Sequence, residues 1–343
     1  MAGVKNQKIL QSALLFFVFF VSVGAVFFGI QWLSNSVASL LIHRNNLFSS
    51  SLEKSVSASD TQVPGAQSVS IPEHVLPLRD WRVGDINLKT ESAISVDVES
   101  GLSKVLFKKD EDKQLPIASL TKLMTALVVL ENYDLSKKVI ISKLAMAQEG
   151  DQGDLTLGQE MSIRNLLYIT LMESSNKAAF ALGEDMGTSK FVETMNANAK
   201  KMGLKNTHFQ DDTGLDPKSY SSAKDVVVLS KYLFETYPLF REIINLKEYD
   251  LYLDDGTFHH HLVNTNKILG ENDIIGGKTG FTNNAKGCMM VIQHSPKPTL
   301  SLLNQNLQGD QERDYLITVV LGSEDRFAET QSILQWASSA YLW

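Results

Sequence analysis

The sequence contains a single cysteine, Cys288, among its 343 residues. One cysteine cannot form an intramolecular disulfide, so a folded domain must be stabilised by its core alone. We expect Cys288 to be a small apolar strand residue and not a nucleophile. The sequence also lacks a basic cluster, and its formal net charge is −7. An acidic chain without interleaved basic and aromatic residues argues against nucleic acid as a partner.

The sequence has no set of side chains that suggests a metal site. His259, His260 and His261 are consecutive, but neighbouring residues on a strand point to opposite faces. At least one of these histidines would face away, and no cysteine or well-spaced carboxylate completes a ligand set. The acidic stretch around Asp151 and Asp154 is typical of a solvated loop. The sequence therefore predicts neither a metal nor another cofactor.

One long segment lacks charge. Ile9–Leu33 carries no charged residue and is about as long as the ~20 residues that cross a bilayer. Lys5 and Lys8 precede the segment, and no acidic residue does. We therefore expect residues 1–8 to lie in the cytoplasm and the part of the chain after the segment to lie outside. A cleaved signal peptide ending near Ala38 is the alternative, although its apolar core usually spans ~7–15 residues. The favoured interpretation is an uncleaved, single-pass anchor in the cell membrane, with the lipid bilayer as a partner.

The remaining chain divides into a linker and a packed domain. Residues 34–75 are rich in serine and small polar residues, which predicts a flexible linker, and residues 76–343 form the domain. Strand patterns cover Ala93–Val98, Lys104–Lys108, Glu248–Leu253, Phe258–Val263, Cys288–His294 and Tyr315–Leu321. Helical patterns cover Ser119–Glu131, Leu166–Leu171, Ser189–Met202, Ala223–Phe234 and Asp325–Trp343. Strands at both ends with helices between them predict an α/β (α+β) fold, an antiparallel sheet flanked by helices with an inserted all-helical region.

Ser119-Leu120-Thr121-Lys122 opens an apolar helix. A serine hydroxyl needs a base beside it to act as a nucleophile. Residues three apart on a helix share a face, with Cβ atoms ~5–6 Å apart, so Lys122 can reach the Ser119 oxygen. The amine must be neutral to accept a proton, which requires a pKa far below its usual ~10.4. Burial and a neighbouring cation both lower a lysine pKa, and Lys278 is the expected cation.

Two further motifs follow in the chain. Ser174-Ser175-Asn176 ends an apolar helix, where capping is the ordinary explanation, but Ser174 could relay a proton and Asn176 could hold a substrate amide. Lys278-Thr279-Gly280 follows two glycines, which allow close backbone approach of a ligand. An edge strand with an exposed lysine is its ordinary explanation. Each motif alone is weak, but the three in this order are typical of penicillin-interacting serine enzymes.

With these motifs the chain resembles the D-alanyl-D-alanine carboxypeptidase family, the low-molecular-mass penicillin-binding proteins. The resemblance covers about residues 76–343 and includes Pro116–Ala126, Asp212–Leu215 and Gly277–Thr282. It implies a fold like that of β-lactamases and transpeptidases. It also implies peptidoglycan stem peptides ending in D-Ala-D-Ala as substrate and β-lactam antibiotics as covalent inhibitors.

The resemblance also implies a role for each motif residue. The catalytic residues would be Ser119, Lys122 and Ser174, and the substrate-binding residues would be Asn176, Lys278, Thr279, Gly280 and Phe281. Ser119 would be acylated with Lys122 as its base, while Lys278 and Thr279 would bind the terminal carboxylate. The backbone N–H groups of Ser119 and Phe281 would form an oxyanion hole, worth ~10²–10³ in rate per donor.

The sequence departs from the family pattern in three ways. The family often has an arginine within an Asn-x-Asn segment, where this chain has Thr265, so Lys267 would have to replace the arginine's contact with the carboxylate. Ser175 stands where glycine is usual. Many members carry a second, β-rich domain and a carboxy-terminal membrane helix, whereas this chain is expected to use its amino-terminal anchor.

Together these observations predict a membrane-anchored, extracytoplasmic serine D-Ala-D-Ala carboxypeptidase that trims peptidoglycan stem peptides through an acyl-Ser119 intermediate. Two alternatives stay open. One is a D,D-endopeptidase that cuts cross-bridges with the same acyl-enzyme, and the other is a catalytically inactive cell-wall-binding scaffold. A β-lactamase is disfavoured because no clear deacylating glutamate motif is present.

Overall fold

The computed structural model describes residues 77–99, 102–296 and 314–343. The predicted anchor at residues 9–33 and the predicted linker at residues 34–75 lie outside the described residues. Within the described ranges, no helix combines the length and apolar character needed to cross a bilayer. The domain boundary at residue 76 therefore stays a prediction.

Thirteen strands are present in the described residues. They are β1 (Leu78–Arg79), β2 (Ser92–Glu99), β3 (Leu102–Lys109), β4 (Leu115–Pro116), β5 (Lys138–Ile140), β6 (Glu160–Ser162), β7 (Tyr220–Ser221), β8 (Glu248–Tyr252), β9 (Phe258–Val263), β10 (Ile274–Thr282), β11 (Lys286–His294), β12 (Tyr315–Ser323) and β13 (Tyr341–Leu342). Five of them form the main antiparallel sheet, in the order β10-β11-β12-β2-β3. The other eight form four two-stranded pairs, β1-β13, β4-β7, β5-β6 and β8-β9.

Eight α-helices accompany these strands in the described ranges. They are α1 (Thr121–Asn132), α2 (Lys143–Met146), α3 (Ile163–Met172), α4 (Asn176–Met186), α5 (Thr188–Lys201), α6 (Ala223–Thr236), α7 (Pro238–Asn245) and α8 (Arg326–Ala340). At the start of four of them, a serine hydroxyl accepts a hydrogen bond from a backbone N–H of the first turn. These serines are Ser142, Ser162, Ser175 and Ser222. Such caps satisfy the otherwise unpaired N–H groups of a first turn, which explains where these helices begin.

The sheet is covered by helices on both faces. Side chains alternate along a strand, so Ile317 and Val319 of β12 join the large core that includes Val226 of α6. Leu316, on the opposite face of the same strand, packs with Trp336 of α8. The helices α1 to α7 are inserted between the β2-β3 hairpin and the β10-β11 hairpin. The predicted fold class, an antiparallel sheet flanked by helices with an inserted helical region, is confirmed.

Cys288 lies on β11 and is fully buried. It pairs in register with Gly280 of β10, and its thiol packs into the large core on one face of the sheet, near the carbonyl oxygens of Pro116 and Ala285. Burial raises the pKa of this thiol to about 12. The expectation of an inert strand residue is confirmed.

Three local predictions were incomplete. The predicted last helix extends to Trp343, but α8 ends at Ala340 because Tyr341 turns extended and β13 pairs with β1. The Ser174-Ser175-Asn176 segment ends α3 as predicted, yet Ser175 also begins α4, a helix that the sequence pattern did not reveal. The short helix α7, which starts at Pro238, was also missed.

Candidate active site

Ser119 lies in a 3-10 turn, Ala118–Leu120, directly before α1. The Ala118 backbone is in the left-handed region, with a φ of 47°. Gly214 packs so closely here that a Cβ on it would lie 2.0 Å from the Ala118 carbonyl oxygen. No side chain caps α1, so the Ser119 hydroxyl does not act as an N-cap. The ordinary explanation of this serine is therefore wrong, and its hydroxyl is available to another partner.

Lys122 provides that partner from the next turn of the helix. Its side chain is fully buried, and Nζ lies 3.0 Å from Ser119 Oγ. Nζ is also 2.7 Å from Asn176 Oδ1 and 2.7 Å from the Thr213 carbonyl oxygen. Both of these oxygens can only accept hydrogen bonds. A neutral amine would use its two N–H bonds on them, which leaves its lone pair directed at the Ser119 hydroxyl.

The electrostatics favour that neutral form. Burial lowers the pKa of Lys122 to about 7, while the negative charges of Asp211 and Asp212 partly oppose the shift. Desolvation disfavours the charged form of a lysine, so a large fraction of the amine is neutral near pH 7. Burial is therefore the main cause, as one of the two predicted influences. The other, the charge of Lys278, acts on Lys122 only when Lys278 is itself protonated, because the repulsion between the two amines is mutual.

Lys278 is the second buried amine of the site and is 1% exposed. Its Nζ donates to Ser174 Oγ at 2.8 Å and to the Thr279 carbonyl oxygen at 2.9 Å. Burial lowers the pKa of Lys278 well below its usual value, and the charge of Lys122 lowers it further. Repulsion between like charges is mutual, so the two amines disfavour simultaneous protonation.

The Ser174-Ser175-Asn176 segment links both amines to one wall of the site. Ser174 has a φ of 64°, a left-handed conformation that is uncommon for residues other than glycine. Its hydroxyl accepts from Lys278, and Asn176 Oδ1 accepts from Lys122. The structure therefore brings Ser174 and Asn176 together with Ser119, as the sequence predicted.

Ser175, the departure from the usual glycine, has a structural role. Its Oγ accepts from the Ala178 N–H at the start of α4 and donates to the Gln152 carbonyl oxygen at 2.7 Å. Beside it, Asn176 Nδ2 donates to the Glu149 carbonyl oxygen at 2.7 Å. The motif thus fastens the loop at residues 149–153 along this side of the site.

The Lys-Thr-Gly strand forms the opposite wall. A Cβ on Gly280 would lie 3.0 Å from the Ser119 nitrogen and 3.0 Å from the Ile117 carbonyl oxygen, so β10 passes directly beside the serine. Thr279 is 4% exposed. Phe281 exposes 60% of its surface, so the backbone of this residue, and not its ring, is the part next to the site.

Thr265 occupies the position of the missing arginine. The Thr279 hydroxyl donates to Thr265 Oγ1 at 2.8 Å. Thr265 also donates its backbone N–H to the carbonyl oxygen of Met172, the last residue of α3. The Lys267 side chain is exposed. The hydroxyl of Thr265, and not Lys267, is therefore the group that the structure places against Thr279.

The sequence analysis missed the loop that supports Lys122. The Asp211 carboxylate accepts from the backbone N–H groups of Gly214 and Leu215, at 3.0 and 2.9 Å, and from Ser219 Oγ at 2.7 Å. These bonds hold the turn whose Thr213 carbonyl reaches Lys122. Asp211 stands two residues before Thr213-Gly214. An aspartate at such a position is a known turn signal, because its side chain bonds to backbone groups two or more residues on. The turn signal is therefore visible in the sequence Asp211–Leu215, but the sequence does not show that this turn contacts Lys122.

Among the residues that the structure describes, no group of three His, Cys, Asp or Glu side chains could hold a metal ion. Of the three consecutive histidines, two approach each other, with His259 Nδ1 2.5 Å from His260 Nδ1, and the third points elsewhere. His260 Nε2 lies 3.1 Å from Glu173 Oε2, whereas His261 contacts Asp250.

Known proteins are similar to this chain in sequence. A family model described as D-alanyl-D-alanine carboxypeptidase matches residues 80–299. D-alanyl-D-alanine carboxypeptidase DacF of Bacillus subtilis is 32% identical over 272 residues, which cover 76% of this chain and 65% of that protein. A D-alanyl-D-alanine endopeptidase of Escherichia coli is 35% identical over 217 residues, which cover 60% of this chain and 68% of that protein. The chain thus spans about two thirds of the length of these relatives.

Solved structures agree with the sequence relatives. The crystal structure of the DD-transpeptidase of Streptomyces K15 aligns with a TM-score of 0.65 and 25% identity. The alignment covers 75% of this chain and 100% of the transpeptidase chain. A D-alanyl-D-alanine carboxypeptidase of Mycobacterium tuberculosis aligns with a TM-score of 0.63 and 25% identity, over 76% of this chain and 93% of that one. The fold and the sequence therefore point to the same group of proteins.

Proposed function

The chain belongs to the D-alanyl-D-alanine carboxypeptidase family of serine peptidases, and we propose that it removes the terminal D-alanine from peptidoglycan stem peptides. One observation carries the proposal: the fully buried Nζ of Lys122 lies 3.0 Å from Ser119 Oγ and has acceptor oxygens as its other two partners. This geometry gives the serine a proton acceptor without a histidine. It argues against an inactive scaffold, which would not need a buried amine beside the hydroxyl.

In the acylation step, Ser119 Oγ attacks the carbonyl carbon of the D-alanyl-D-alanine bond while its proton passes to Lys122. The C–N bond then breaks, and the leaving amine takes up a proton from Lys122 or through the Ser174 hydroxyl. The backbone N–H groups of Ser119 and Phe281 stabilise the negative oxygen, as suits donors fixed beside the nucleophile. Water later attacks the acyl-Ser119 ester and releases the shortened stem peptide.

Lys278 and the Thr279 hydroxyl bind the substrate's terminal carboxylate. A bound carboxylate raises the pKa of a neighbouring lysine, so an anionic substrate draws a proton onto Lys278. A charged Lys278 in turn favours the neutral form of Lys122. Substrate binding therefore helps to set the protonation states that acylation requires.

Labelling with fluorescent penicillin tests this assignment. The protein should become covalently labelled, release D-alanine from a linear pentapeptide, and lose both activities in Ser119→Ala. Ser51→Ala is the matched control, because Ser51 has the same spacing from Lys54 in the predicted linker and should label normally. Labelling that survives in Ser119→Ala would rule out Ser119 as the nucleophile.

A second candidate activity is cleavage of peptide cross-bridges. Thr265 replaces a cation near the carboxylate site, so Lys278 carries the carboxylate contact with less help, which relaxes selection for a free terminus. A relative in Escherichia coli is named an endopeptidase. Product analysis on linear and on cross-linked muropeptides separates the two activities, and cleavage of the cross-linked material at a comparable rate would favour the second.

We also propose that residues 9–33 anchor the protein in the cell membrane, with the catalytic domain outside. The uncharged sequence of this segment and the lysines before it support the proposal. The full chain should stay with membranes through an alkaline carbonate wash, and external protease should digest the domain in spheroplasts. Release by the wash, or a mature amino terminus near Ala38, would contradict an uncleaved anchor.

A further inference from the structure

We propose that the domain docks onto an anionic lipid bilayer through a surface at the β3 edge of the sheet. This surface, called here the β3-edge patch, consists of exposed apolar residues and nearby lysines: Leu78, Trp81, Leu102, Leu342, Lys104 and Lys109. The inference concerns residues outside the catalytic site and does not depend on the reaction. It adds a membrane contact made by the folded domain to whatever the amino-terminal segment contributes.

The apolar members of the patch are unusually exposed. Trp81 exposes 82% of its surface, Leu78 59%, Leu342 58% and Leu102 54%. Leu78 and Leu342 are partners in the β1-β13 pair, so they lie side by side. A tryptophan ring beside exposed aliphatic side chains is typical of surfaces that lie at a membrane–water boundary.

A stack of rings and one guanidinium supports Trp81. The Arg79 guanidinium carbon lies 5.1 Å from the Trp81 ring centre and 5.0 Å from that of Trp336. Arg79 also forms an ion pair with Asp85 at 2.9 Å. These contacts fix one side of the Trp81 ring while most of its surface faces solvent. The ring is thus held in an exposed position that burial in the core does not explain.

The charge of the patch suits an anionic surface. The adjoining groove, a cavity of about 610 Å³, is lined by four cations, Arg79, Lys104, Lys108 and Lys109, and by a single acid, Asp85. The whole chain, by contrast, carries a net charge of −7. Two of these cations are held in ion pairs, Arg79 with Asp85 and Lys108 with Glu111.

Lys104 and Lys109 form hydrogen bonds to backbone carbonyl groups. Lys104 Nζ donates to the Pro77 carbonyl oxygen, and Lys109 Nζ donates to the Leu88 carbonyl oxygen at 2.7 Å. A carbonyl orients an ammonium group without neutralising it. Lys104 is thus held beside β1, with Asp97 as its partner across the β2-β3 pair. Near an anionic bilayer, each lysine strengthens binding by about a factor of five.

The position of the patch is consistent with the proposed reaction. Strands β3 and β10 are the two edges of the sheet, four strand positions apart, which is about 19 Å at ~4.8 Å per position. A bilayer at the β3 edge therefore lies at the opposite edge of the sheet from β10, the strand beside Ser119. The described chain also starts at Pro77, so the preceding segment joins the domain at the patch itself.

A bilayer explains this combination better than a peptide or a sugar chain does. Leucine and tryptophan side chains insert at the boundary between head groups and acyl chains, and lysines beside them contact the phosphates. The exposed leucines lie at strand ends, and Trp81 lies in a turn beside the groove that Lys104 and Lys109 also line. A planar anionic surface is therefore the partner that this patch fits best.

A site-specific label on the full chain tests the proposal. Cys288 is buried and its thiol is inert, so Ser103→Cys, at the rim of the patch, can be labelled selectively with the fluorophore NBD. Ser189→Cys, at the exposed start of α5, is the matched control. Both proteins are reconstituted in vesicles of phosphatidylcholine with about one third phosphatidylglycerol, which gives the anionic surface potential that the proposal requires.

The expected result is a blue-shifted emission at position 103 that lipid-borne quenchers suppress, with no such change at position 189. At position 103, the ratio of shielded to exposed label should fall about fivefold in Lys104→Ala and also in Trp81→Ala. It should not fall in Lys190→Ala, a control outside the patch. High salt should weaken the shielding, because the attraction is screened. Normal penicillin labelling of each variant shows that the domain is folded.

Two outcomes would overturn the inference. The first is a label at position 103 that stays as exposed to aqueous quenchers as the one at position 189 in vesicle-bound protein. The second is that Lys104→Ala and Trp81→Ala weaken sedimentation with purified sacculi but leave the shielding of the label by vesicles unchanged. The patch would then bind cell-wall glycan instead of lipid. Neither readout uses the peptidase reaction, so failure here is distinct from failure of the proposed function.

Discussion

The carbonyl oxygen of Thr213 lies 2.7 Å from Nζ of Lys122, so a loop 91 residues further along the chain completes the environment of the catalytic amine. The carboxylate of Asp211 holds this loop through several hydrogen bonds. The base is therefore positioned by two separate parts of the chain. One is the helix that carries Lys122, and the other is a turn held by an aspartate.

Replacing Asp211 should impair acylation without removing any group that touches the serine. In Asp211→Ala the turn loses its acceptor, and the Thr213 carbonyl no longer holds Lys122 in place. We expect the acylation rate by penicillin to fall by about tenfold or more, since small displacements of catalytic groups are costly. Asp211→Asn retains one acceptor oxygen and should recover part of the rate. Equal rates in the two variants and the native chain would refute this role.

Asp212 should shift the pH dependence of acylation. Its carboxyl is 3% exposed, and burial raises its pKa to about 7. A negative charge at this position raises the pKa of Lys122, so Asp212→Asn should lower that pKa. Because the neutral amine is the active form, the rising limb of the pH–rate profile should move to lower pH. A limb that stays in place, or moves to higher pH, would contradict the coupling.

The same substitution should change stability with a definite sign. A carboxyl whose pKa is raised in the folded state keeps its proton there while the unfolded chain loses it, so stability falls as pH rises from about 4 toward 7. Asp212→Asn removes this loss and should raise the melting temperature more at pH 8 than at pH 4. We expect a gain of roughly 4 kcal/mol at pH 8, because a pKa raised from 3.8 to about 7 costs about 1.4 kcal/mol for each pH unit between the two values. Thermal unfolding of both proteins at the two pH values provides the measurement.

Lys122→Arg should abolish the reaction while preserving positive charge and length. Arginine stays protonated at any accessible pH, so it cannot accept the proton of Ser119. General base catalysis contributes typically 10²–10⁴ in rate, and we expect an acylation rate lower by that factor. Lys224→Arg, at the same S-x-x-K spacing from Ser221, should label like the native protein. Retention of near-native acylation in Lys122→Arg would mean that another group is the base.

Gly214 and Gly158 form a matched pair for the close approach beside Ala118. Both have a positive φ, 85° and 80°, but only a Cβ on Gly214 would clash, whereas Gly158 has nothing within 4 Å. Gly158→Ala should therefore cost only the ~1–2 kcal/mol of left-handed backbone. Gly214→Ala should cost clearly more and should also slow acylation, because the turn at Ser119 must shift. Urea unfolding and penicillin labelling compare the two variants. An equal loss of unfolding free energy in both would contradict the close approach of Gly214 to Ala118.

The sequence was sufficient for the side chains of the site and insufficient for its backbone. Ser119 and Lys122 could be paired because three residues on a helix fix their separation. Thr213 could not be found in the same way, since a main-chain carbonyl has no sequence signature. The pairing of β13 with β1 also escaped prediction, because it joins residues at opposite ends of the domain and no local pattern reports such contacts. Ser175 shows a third limit, since one serine both follows a helix and begins the next.

The burial of Cys288 opposite Gly280 makes the lone thiol a natural reporter for the motions of the enzyme. A thiol reagent can reach the sulfur only when the segments packed over this face of the sheet, which include Pro116 and Ala285, move away. The modification rate therefore measures how often the core beside the Lys-Thr-Gly segment opens. Occupancy of the cleft by a β-lactam should slow that modification, and the native chain can be followed in this way without any engineered label.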